Sequence, residues 1–261
     1  MQRTTVYTWA VLLAIVSALP AAAGIVEVGA LKDNTLYEDQ AGDLSNGAGI
    51  YFFTGNTAFG EIRRGVIAFD VAAAVPKGAT IDAVTLRLHM SKTIAGPEAV
   101  FLHRILADWG EGTSDAPQEE GIGTSAEQDD ATWVHRFFPT VDWISIGGDF
   151  AAAPSGDALV SGIGFYDWTS AEMVADVQSW LNSPADNFGW IVVGNEATIA
   201  TAKRFDTREN GDESERPVLT IEFNGGSDVP ASSGVGLILL TVTLLAVGTF
   251  FIMRYRSAPT H

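Results

Sequence analysis

Short stretches in which apolar and polar residues alternate are the feature of this sequence that most restricts its fold. Residues 84–89 read Val-Thr-Leu-Arg-Leu-His, and residues 219–223 read Leu-Thr-Ile-Glu-Phe. Successive side chains of a β-strand point to opposite faces, so this pattern predicts strands with one buried face. Further segments with strand-like composition are 24–28, 35–38, 50–54, 65–71, 99–106, 132–138, 190–193 and 202–206.

Turn-forming residues separate these predicted strands. They are Asn46-Gly47, Pro76-Lys77-Gly78, Gly147-Gly148 and Asn210-Gly211. Many short strands separated by such turns are typical of β-sandwiches and jelly rolls. An all-β chain of this length commonly forms a single domain. We therefore predict an all-β fold, a single jelly-roll-type β-sandwich over residues 24–225. The segment 110–131 is rich in Gly, Ser and acidic residues and is predicted to be a long loop.

One short helix interrupts the strands. Thr169 is the predicted N-cap and Glu172 its capping-box partner. The apolar stripe that follows at helical spacing consists of Met173, Val174, Val177, Trp180 and Leu181. Asn182, Ser183 and Pro184 end the helix. We expect the stripe to cover the core, with Trp180 as a packing residue.

The first 23 residues have the organisation of a secretory signal peptide. Arg3 supplies the positive charge, residues 11–19 form an apolar run, and Ala21 and Ala23 match an A-x-A cleavage site. The apolar run is shorter than the ~20 residues that span a bilayer, which favours a cleaved signal over the alternative of an N-terminal anchor.

The other end of the chain is also apolar. No charged residue occurs between Val229 and Met253, and Arg254 and Arg256 follow. We divide this end into a linker with a sorting-type motif (226–234), a transmembrane helix (235–253) and a cytoplasmic basic tail (254–261). By the positive-inside rule the C-terminus lies in the cytoplasm and the β-domain outside.

Charge and cysteine content limit what the exported domain does. The chain has 32 acidic against 15 basic residues, a net charge of −17, and no cysteine. A field of that sign repels nucleic acid and anionic lipid, and stability without disulfides comes from the core or from bound cations. Structural Ca²⁺ is therefore one interpretation, and solubility alone is the other. The candidate metal ligands are Asp115, Glu119, Glu120, Asp129 and Asp130, with Glu127 nearby.

Aromatic residues near loops are the candidates for carbohydrate binding. Sugar recognition needs an aromatic face for stacking and a few polar groups, without a reactive centre. Trp109 and Trp133 flank the long loop, Trp143 lies in another irregular stretch, and Tyr37 lies on a predicted strand. For each of them a core or edge position is the alternative.

No sequence motif indicates an enzyme. A nucleophile elbow, a zinc-binding His pair, a phosphate-binding glycine loop and a dinucleotide fingerprint are all missing from the sequence. His89 and His103 occupy strand positions, which favours surface or core roles. A polysaccharide lyase or glycoside hydrolase stays as an alternative, because any acidic chain offers carboxylate pairs.

Several arginines in or beside the strands are interpreted as structural. A half-buried arginine without a partner would cost several kcal/mol, so we expect internal ion pairs. These arginines are Arg63, Arg64, Arg204, Arg208 and Arg216, with Glu38 and Glu209 among the candidate partners.

A series of segments resembles the DNRLRE-domain family in order. Residues 33–38, Asp-Asn-Thr-Leu-Tyr-Glu, resemble the family signature, with Thr35 and Tyr37 in place of its two arginines. Matching segments follow at 63–71, 75–81, 103–112, 131–133, 147–150, 189–190, 204–205 and 216–219. The resemblance covers nearly all of the predicted exterior domain. It implies a jelly-roll β-sandwich of bacterial or archaeal surface proteins, similar to non-catalytic carbohydrate-binding modules, some of which bind acidic polysaccharide. Without those two arginines, the bidentate contact of guanidinium with a uronate carboxylate is not supplied at these positions.

The C-terminal end resembles sorting signals of the PEP-CTERM type, which combine a short Pro-containing motif, a hydrophobic span and basic residues. The motif here is Val229, Pro230, Ala231, Ser232 and Ser233, which departs from Pro-Glu-Pro. The resemblance implies processing by an exosortase-like enzyme, and a plain stop-transfer anchor is the alternative.

Together these features predict a non-catalytic cell-surface protein that associates with extracellular polysaccharide or matrix. It would be anchored in the membrane, or released to the surface after processing of its tail. A purely structural component of the envelope or biofilm matrix, without a specific ligand, is the alternative from another class.

Overall fold

A computed structural model describes residues 23–226 and contains 42% strand and 11% helix, so the predicted all-β character is confirmed. The strands are β1 (Ala23–Gly29), β2 (Lys32–Tyr37), β3 (Leu44–Ser45), β4 (Tyr51–Asn56), β5 (Ile62–Ala68), β6 (Ala79–Thr93), β7 (Glu98–Arg104), β8 (Thr124–Ser125), β9 (His135–Phe137), β10 (Val141–Asp142), β11 (Gly156–Val160), β12 (Gly164–Trp168), β13 (Trp190–Val193), β14 (Lys203–Asp206) and β15 (Val218–Gly225). The helices are α1 (Val71–Ala74), α2 (Ala171–Asn182) and two 3₁₀ turns, Pro184–Asp186 and Glu213–Glu215.

The two ends of the chain lie outside this description. The predicted membrane span, the basic tail, the sorting motif and nearly all of the signal peptide fall on residues 1–22 and 227–261. Within residues 23–226, no helix has the length and apolar character needed to cross a membrane.

Eleven strands form one curled antiparallel sheet. Its order is β1-β15-β6-β14-β4-β5-β13-β7-β11, with β12 on the free side of β6 and β2 on β5. Strand β4 joins the two halves, because residues 51–54 pair with β14 whereas residues 55–56 pair with β5. Gly55 lies at this change of partner with φ of +98°, a backbone conformation that glycine adopts readily.

The main core lies between the two halves of the sheet. Leu86 and Leu88 of β6 point inward from one half, and Ile67 of β5 and Trp190 of β13 from the other. Helix α2 closes this core with Met173, Val177, Trp180 and Leu181, as the apolar stripe predicts.

A second core covers the opposite face of β5 and β13. Because side chains alternate along a strand, Val66 and Ile191 point away from the main core. The irregular segment between β7 and β11 folds over them and contributes three tryptophans to this layer. This half of the sheet is therefore buried on both faces.

Two local predictions need correction. Helix α2 begins one residue later than predicted, because Ser170 rather than Thr169 is the N-cap, and its hydroxyl accepts a hydrogen bond from Met173 N at 2.9 Å. The sequence also does not predict β11 and β12. Gly156, Gly162 and Gly164 interrupt the alternation there, and only pairing with β7 and β6 makes these segments strands.

Candidate functional site

The four aromatic residues predicted to bind carbohydrate are buried. Tyr37, Trp109, Trp133 and Trp143 are between 0% and 8% exposed. The three tryptophans belong to the second core, packed with Leu36 and the outward side chains of β5 and β13. All four rings therefore occupy core positions, the alternative given for them above, since the long segment that carries the three tryptophans folds onto the sheet and removes their faces from water.

The polar atoms of three of these rings form hydrogen bonds inside the protein. Trp109 Nε1 donates to Phe188 O at 2.9 Å, and Trp143 Nε1 donates to Thr132 O at 3.0 Å. The Tyr37 hydroxyl donates to Glu120 O at 2.8 Å. The bonds of Trp109 and Tyr37 attach the irregular segment to the rest of the domain, and that of Trp143 holds the segment together internally, so these rings have a structural role here.

The five carboxylates predicted to bind calcium do not converge. None of them occurs in the groups of His, Asp and Glu ligand atoms that lie within 4.8 Å of one another in residues 23–226. Asp115, Glu119 and Asp129 are exposed, whereas Glu120 and Asp130 point inward. The described residues therefore do not bring these five carboxylates together into one cation site.

The inward-pointing pair instead fixes the loop. Glu120 Oε2 accepts hydrogen bonds from Tyr51 N at 2.9 Å and from the Asn46 side chain at 2.8 Å. Asp130 Oδ2 accepts one from Glu127 N at 2.7 Å. Burial raises the pKa of both carboxyls, and these hydrogen bonds partly oppose the effect.

Each of the five arginines has an acidic partner, as the sequence predicts, and Glu209 is one of these partners. Arg64 binds Glu196 through two hydrogen bonds of 2.7 and 2.9 Å. The other pairs are Arg63–Glu61, Arg204–Glu119, Arg208–Glu111, Arg208–Glu209 and Arg216–Glu213. Glu38, a predicted partner, accepts a hydrogen bond from Ile62 N instead.

Three carboxylates surround Arg208, which follows β14 in the chain. The cluster lies beside the start of β2, where Asp33 is located. Glu111 binds the guanidinium with both oxygens at 2.7 Å, and Glu209 Oε1 lies 2.9 Å from Arg208 Nη2. Asp33 accepts a hydrogen bond from Arg208 N at 2.9 Å. Asn34 extends the network by donating to Glu111 O at 2.8 Å. The first two residues of the DNRLRE-like signature thus connect β2 to the long loop and to the segment after β14.

The environment of this cluster raises the pKa values of two of its carboxyls, those of Asp33 and Glu209. Burial raises the pKa of Asp33 well above its ordinary value, and the charges of Glu209 and Glu111 raise it further, against the hydrogen bond from Arg208 N. Burial also raises the pKa of Glu209 to about 6, and the charge of Arg208 opposes this increase. Glu209 Oε2 is buried without a hydrogen-bond partner.

The outer face of the sheet beside β12 presents an exposed aromatic ring. Phe165 is 50% exposed and lies opposite His89 of β6, with 4.7 Å between the ring centroids. Two pairs further along, on the same face of the sheet, Arg87 and Asp167 form two hydrogen bonds of 2.8 and 2.9 Å. These bonds lower the pKa of Asp167. An aromatic face with an ion pair at its edge is therefore open to solvent.

His89 also contacts an acidic pair on its other side. Its Nδ1 lies 2.6 Å from Asp206 Oδ2 and 3.6 Å from Glu215 Oε1. Sequence reasoning missed this group and Phe165. The available signal was the outward position of His89 in the alternating strand, but its neighbours come from β12, β14 and the turn before β15 and depend on strand order.

No protein-family model matches the chain, and no curated protein is similar enough to count as a relative. The resemblances to the DNRLRE-domain family and to PEP-CTERM tails therefore rest on the residues named above.

Proposed function

We propose that this chain is an exported, non-catalytic cell-surface protein whose β-domain binds extracellular polysaccharide on the outer face of the sheet beside Phe165. The exposed Phe165 ring, with the Arg87–Asp167 pair beside it, is the observation that carries the proposal. Such a surface combines the two things that a pyranose needs, an apolar face for stacking and polar groups at its edge.

The net negative charge of the protein favours neutral over acidic polysaccharides as ligands. The net charge of −17 disfavours polyuronates, because their carboxylates would enter a field of the same sign. The guanidinium of Arg87 lies 6.0 Å from the centre of the Phe165 ring and is already paired with Asp167. We therefore expect a neutral polysaccharide, whose hydroxyls both donate to Asp167 and accept from Arg87.

Export and anchoring are part of the same proposal. The signal-like residues 1–23 support secretion, and the apolar residues 235–253 followed by Arg254 and Arg256 support a membrane anchor with the β-domain outside. The motif at 229–233 supports processing by an exosortase-like enzyme. The resemblance to the DNRLRE-domain family, with its jelly-roll sandwich, supports a carbohydrate-binding-module type of domain and is compatible with the curled antiparallel sheet.

The test is affinity electrophoresis of the full-length chain in gels containing neutral glucans, xylan, mannan, alginate or pectate, with and without calcium. We expect retardation on at least one neutral polysaccharide and loss of that retardation in Phe165→Ala. The matched control is Phe59→Ala, because Phe59 is 91% exposed on the turn between β4 and β5. Equal retardation of the two variants would exclude the Phe165 surface.

A purely structural envelope or matrix protein is the second candidate. The burial of the four predicted rings and the many hydrogen bonds that fix the long loop favour it, because they indicate a rigid domain. Absence of retardation on every polysaccharide would favour this candidate. Release of soluble sugar from the gel matrix would instead favour the lyase or hydrolase alternative.

A further inference from the structure

His89, Asp206 and Glu215 come together on the outer face of the sheet from three separate elements. His89 belongs to β6, Asp206 ends β14, and Glu215 ends the 3₁₀ turn before β15. One potential ligand atom from each lies within 4.8 Å of the others. Residues so distant in sequence meet only through the strand order of the folded sheet.

Asp206 carries the observation that points to a ligand. The residue is 1% exposed, and its Oδ2 contacts His89 Nδ1 at 2.6 Å. Its other oxygen, Oδ1, is buried and has no hydrogen-bond partner. A buried carboxylate oxygen without a donor is costly, and buried charges in proteins are usually paired or bound to metal.

We propose that His89, Asp206 and Glu215 bind one first-row divalent cation, with Zn²⁺ as the representative ion. Two ligand atoms at about 2.1 Å from a tetrahedral metal lie about 3.4 Å apart. The 3.6 Å between His89 Nδ1 and Glu215 Oε1 is close to this separation. Asp206 Oδ2 lies only 2.6 Å from His89 Nδ1, so this hydrogen bond must open and its proton must leave when the ion binds. Asp206 then supplies the third ligand with its unpartnered oxygen.

The chemical types of the three ligands indicate which class of cation would bind. Calcium and magnesium take oxygen ligands, whereas imidazole together with carboxylate is a ligand set for zinc and its neighbours. Glu215 is 35% exposed, so the ion has a path from solvent and at least one position for water.

The carboxylate cluster around Arg208 does not compete for this role. Glu111 gives both oxygens to the guanidinium, and Glu209 gives one. Arg208 therefore already supplies the positive charge that a metal would bring there.

The bound ion would connect three parts of the sheet. It would link β6 to β14 and to the turn that leads into β15, in a chain that has no cysteine for disulfides. We therefore expect a structural metal that restricts the segment 206–215. This inference does not depend on polysaccharide binding, although the Phe165 ring packs at a tilt of 45° against that of His89.

The experiment is isothermal titration of zinc chloride into the full-length chain, prepared without a polyhistidine tag and freed of metal with a chelator. We expect saturable binding of one ion per chain. Glu215→Gln should weaken the affinity at least tenfold, because it replaces a charged ligand by a neutral one. Glu213→Gln is the matched control in the same turn, since Glu213 is exposed and lies outside the group, and it should bind as the natural chain does.

A second measurement locates the ion without a variant. In an ¹⁵N-histidine-labelled sample, zinc should shift the imidazole signals of His89 and leave those of His103 and His135 unchanged. The proposal is overturned if no saturable binding occurs, if both glutamine variants bind alike, or if other histidines shift in place of His89. Calcium added in excess should not displace the zinc.

Discussion

Replacing Glu209 by glutamine tests the electrostatics of the cluster around Arg208. The pKa of Glu209 is raised from 4.5 to about 6, mainly by burial. One pKa unit corresponds to about 1.4 kcal/mol, so ionising Glu209 costs the folded state about 2 kcal/mol relative to the unfolded chain. Glutamine has nearly the same shape and never ionises.

The sign follows from proton binding. Between pH 4.5 and 6 the folded chain holds a proton on Glu209 that the unfolded chain has lost, so the free energy of unfolding falls as pH rises through this window. Below it, glutamate and glutamine are both neutral. Above pH 6, the natural chain pays the free-energy cost of ionising Glu209 in the folded state, whereas the glutamine variant does not. Relative to the natural chain, Glu209→Gln should therefore gain about 2 kcal/mol between pH 4 and pH 7.5.

The assay is urea unfolding of the full-length chain at pH 4, 5, 6 and 7.5, followed by tryptophan fluorescence. The control is Glu213→Gln, the same chemical change at an exposed position beside Arg216, for which we expect a pH dependence like that of the natural chain. A Glu209→Gln chain whose stability relative to the natural chain is constant, or falls, from pH 4 to pH 7.5 would refute the reasoning. Glu209 would then act mainly as the ion-pair partner of Arg208.

Two further comparisons test the packing. Trp180 Nε1 is buried without a partner, whereas Trp190 Nε1 donates to a carboxylate at 2.9 Å. Trp190→Phe should therefore lower the free energy of unfolding by about 1–2 kcal/mol more than Trp180→Phe in urea titrations, and equal losses would contradict the hydrogen-bond assignment. A Cβ at Gly47 would lie 1.9 Å from Glu111 O, whereas at Gly211 it would meet nothing within 4 Å. Gly47→Ala should cost about 1–3 kcal/mol, and Gly211→Ala should stay within about 0.5 kcal/mol of the natural chain.

Much of the fold is legible in the sequence because it depends on local patterns. The alternation in residues 84–89 predicts a strand with Leu86 and Leu88 inside, and both are fully buried. The stripe on α2 predicts its buried face, including Trp180. These patterns work because a strand repeats every two residues and a helix every 3.6, so one buried face leaves a periodic trace.

The candidate site was predicted poorly because its residues lie where no such periodic pattern exists. Trp109, Trp133 and Trp143 lie in segments without periodicity, and nothing local shows whether such a segment extends into solvent or folds onto the sheet. The fold settles the question, because Val66 and Ile191 form an apolar face on β5 and β13 against which the three tryptophans pack. Phe165 was missed because its strand exists only through pairing with β6.

The sequence by itself determined the class of structure: short amphipathic strands, one helix, an acidic surface and no disulfide, with apolar ends that predict export and anchoring. The tertiary structure alone decided which side chains face water and which meet. Strand order brings His89 beside Asp206 and Glu215, and it brings Arg208 among Asp33, Glu111 and Glu209. The physical reason is that periodicity encodes which face of an element is buried, whereas contacts between elements depend on the register and order in which distant strands pair.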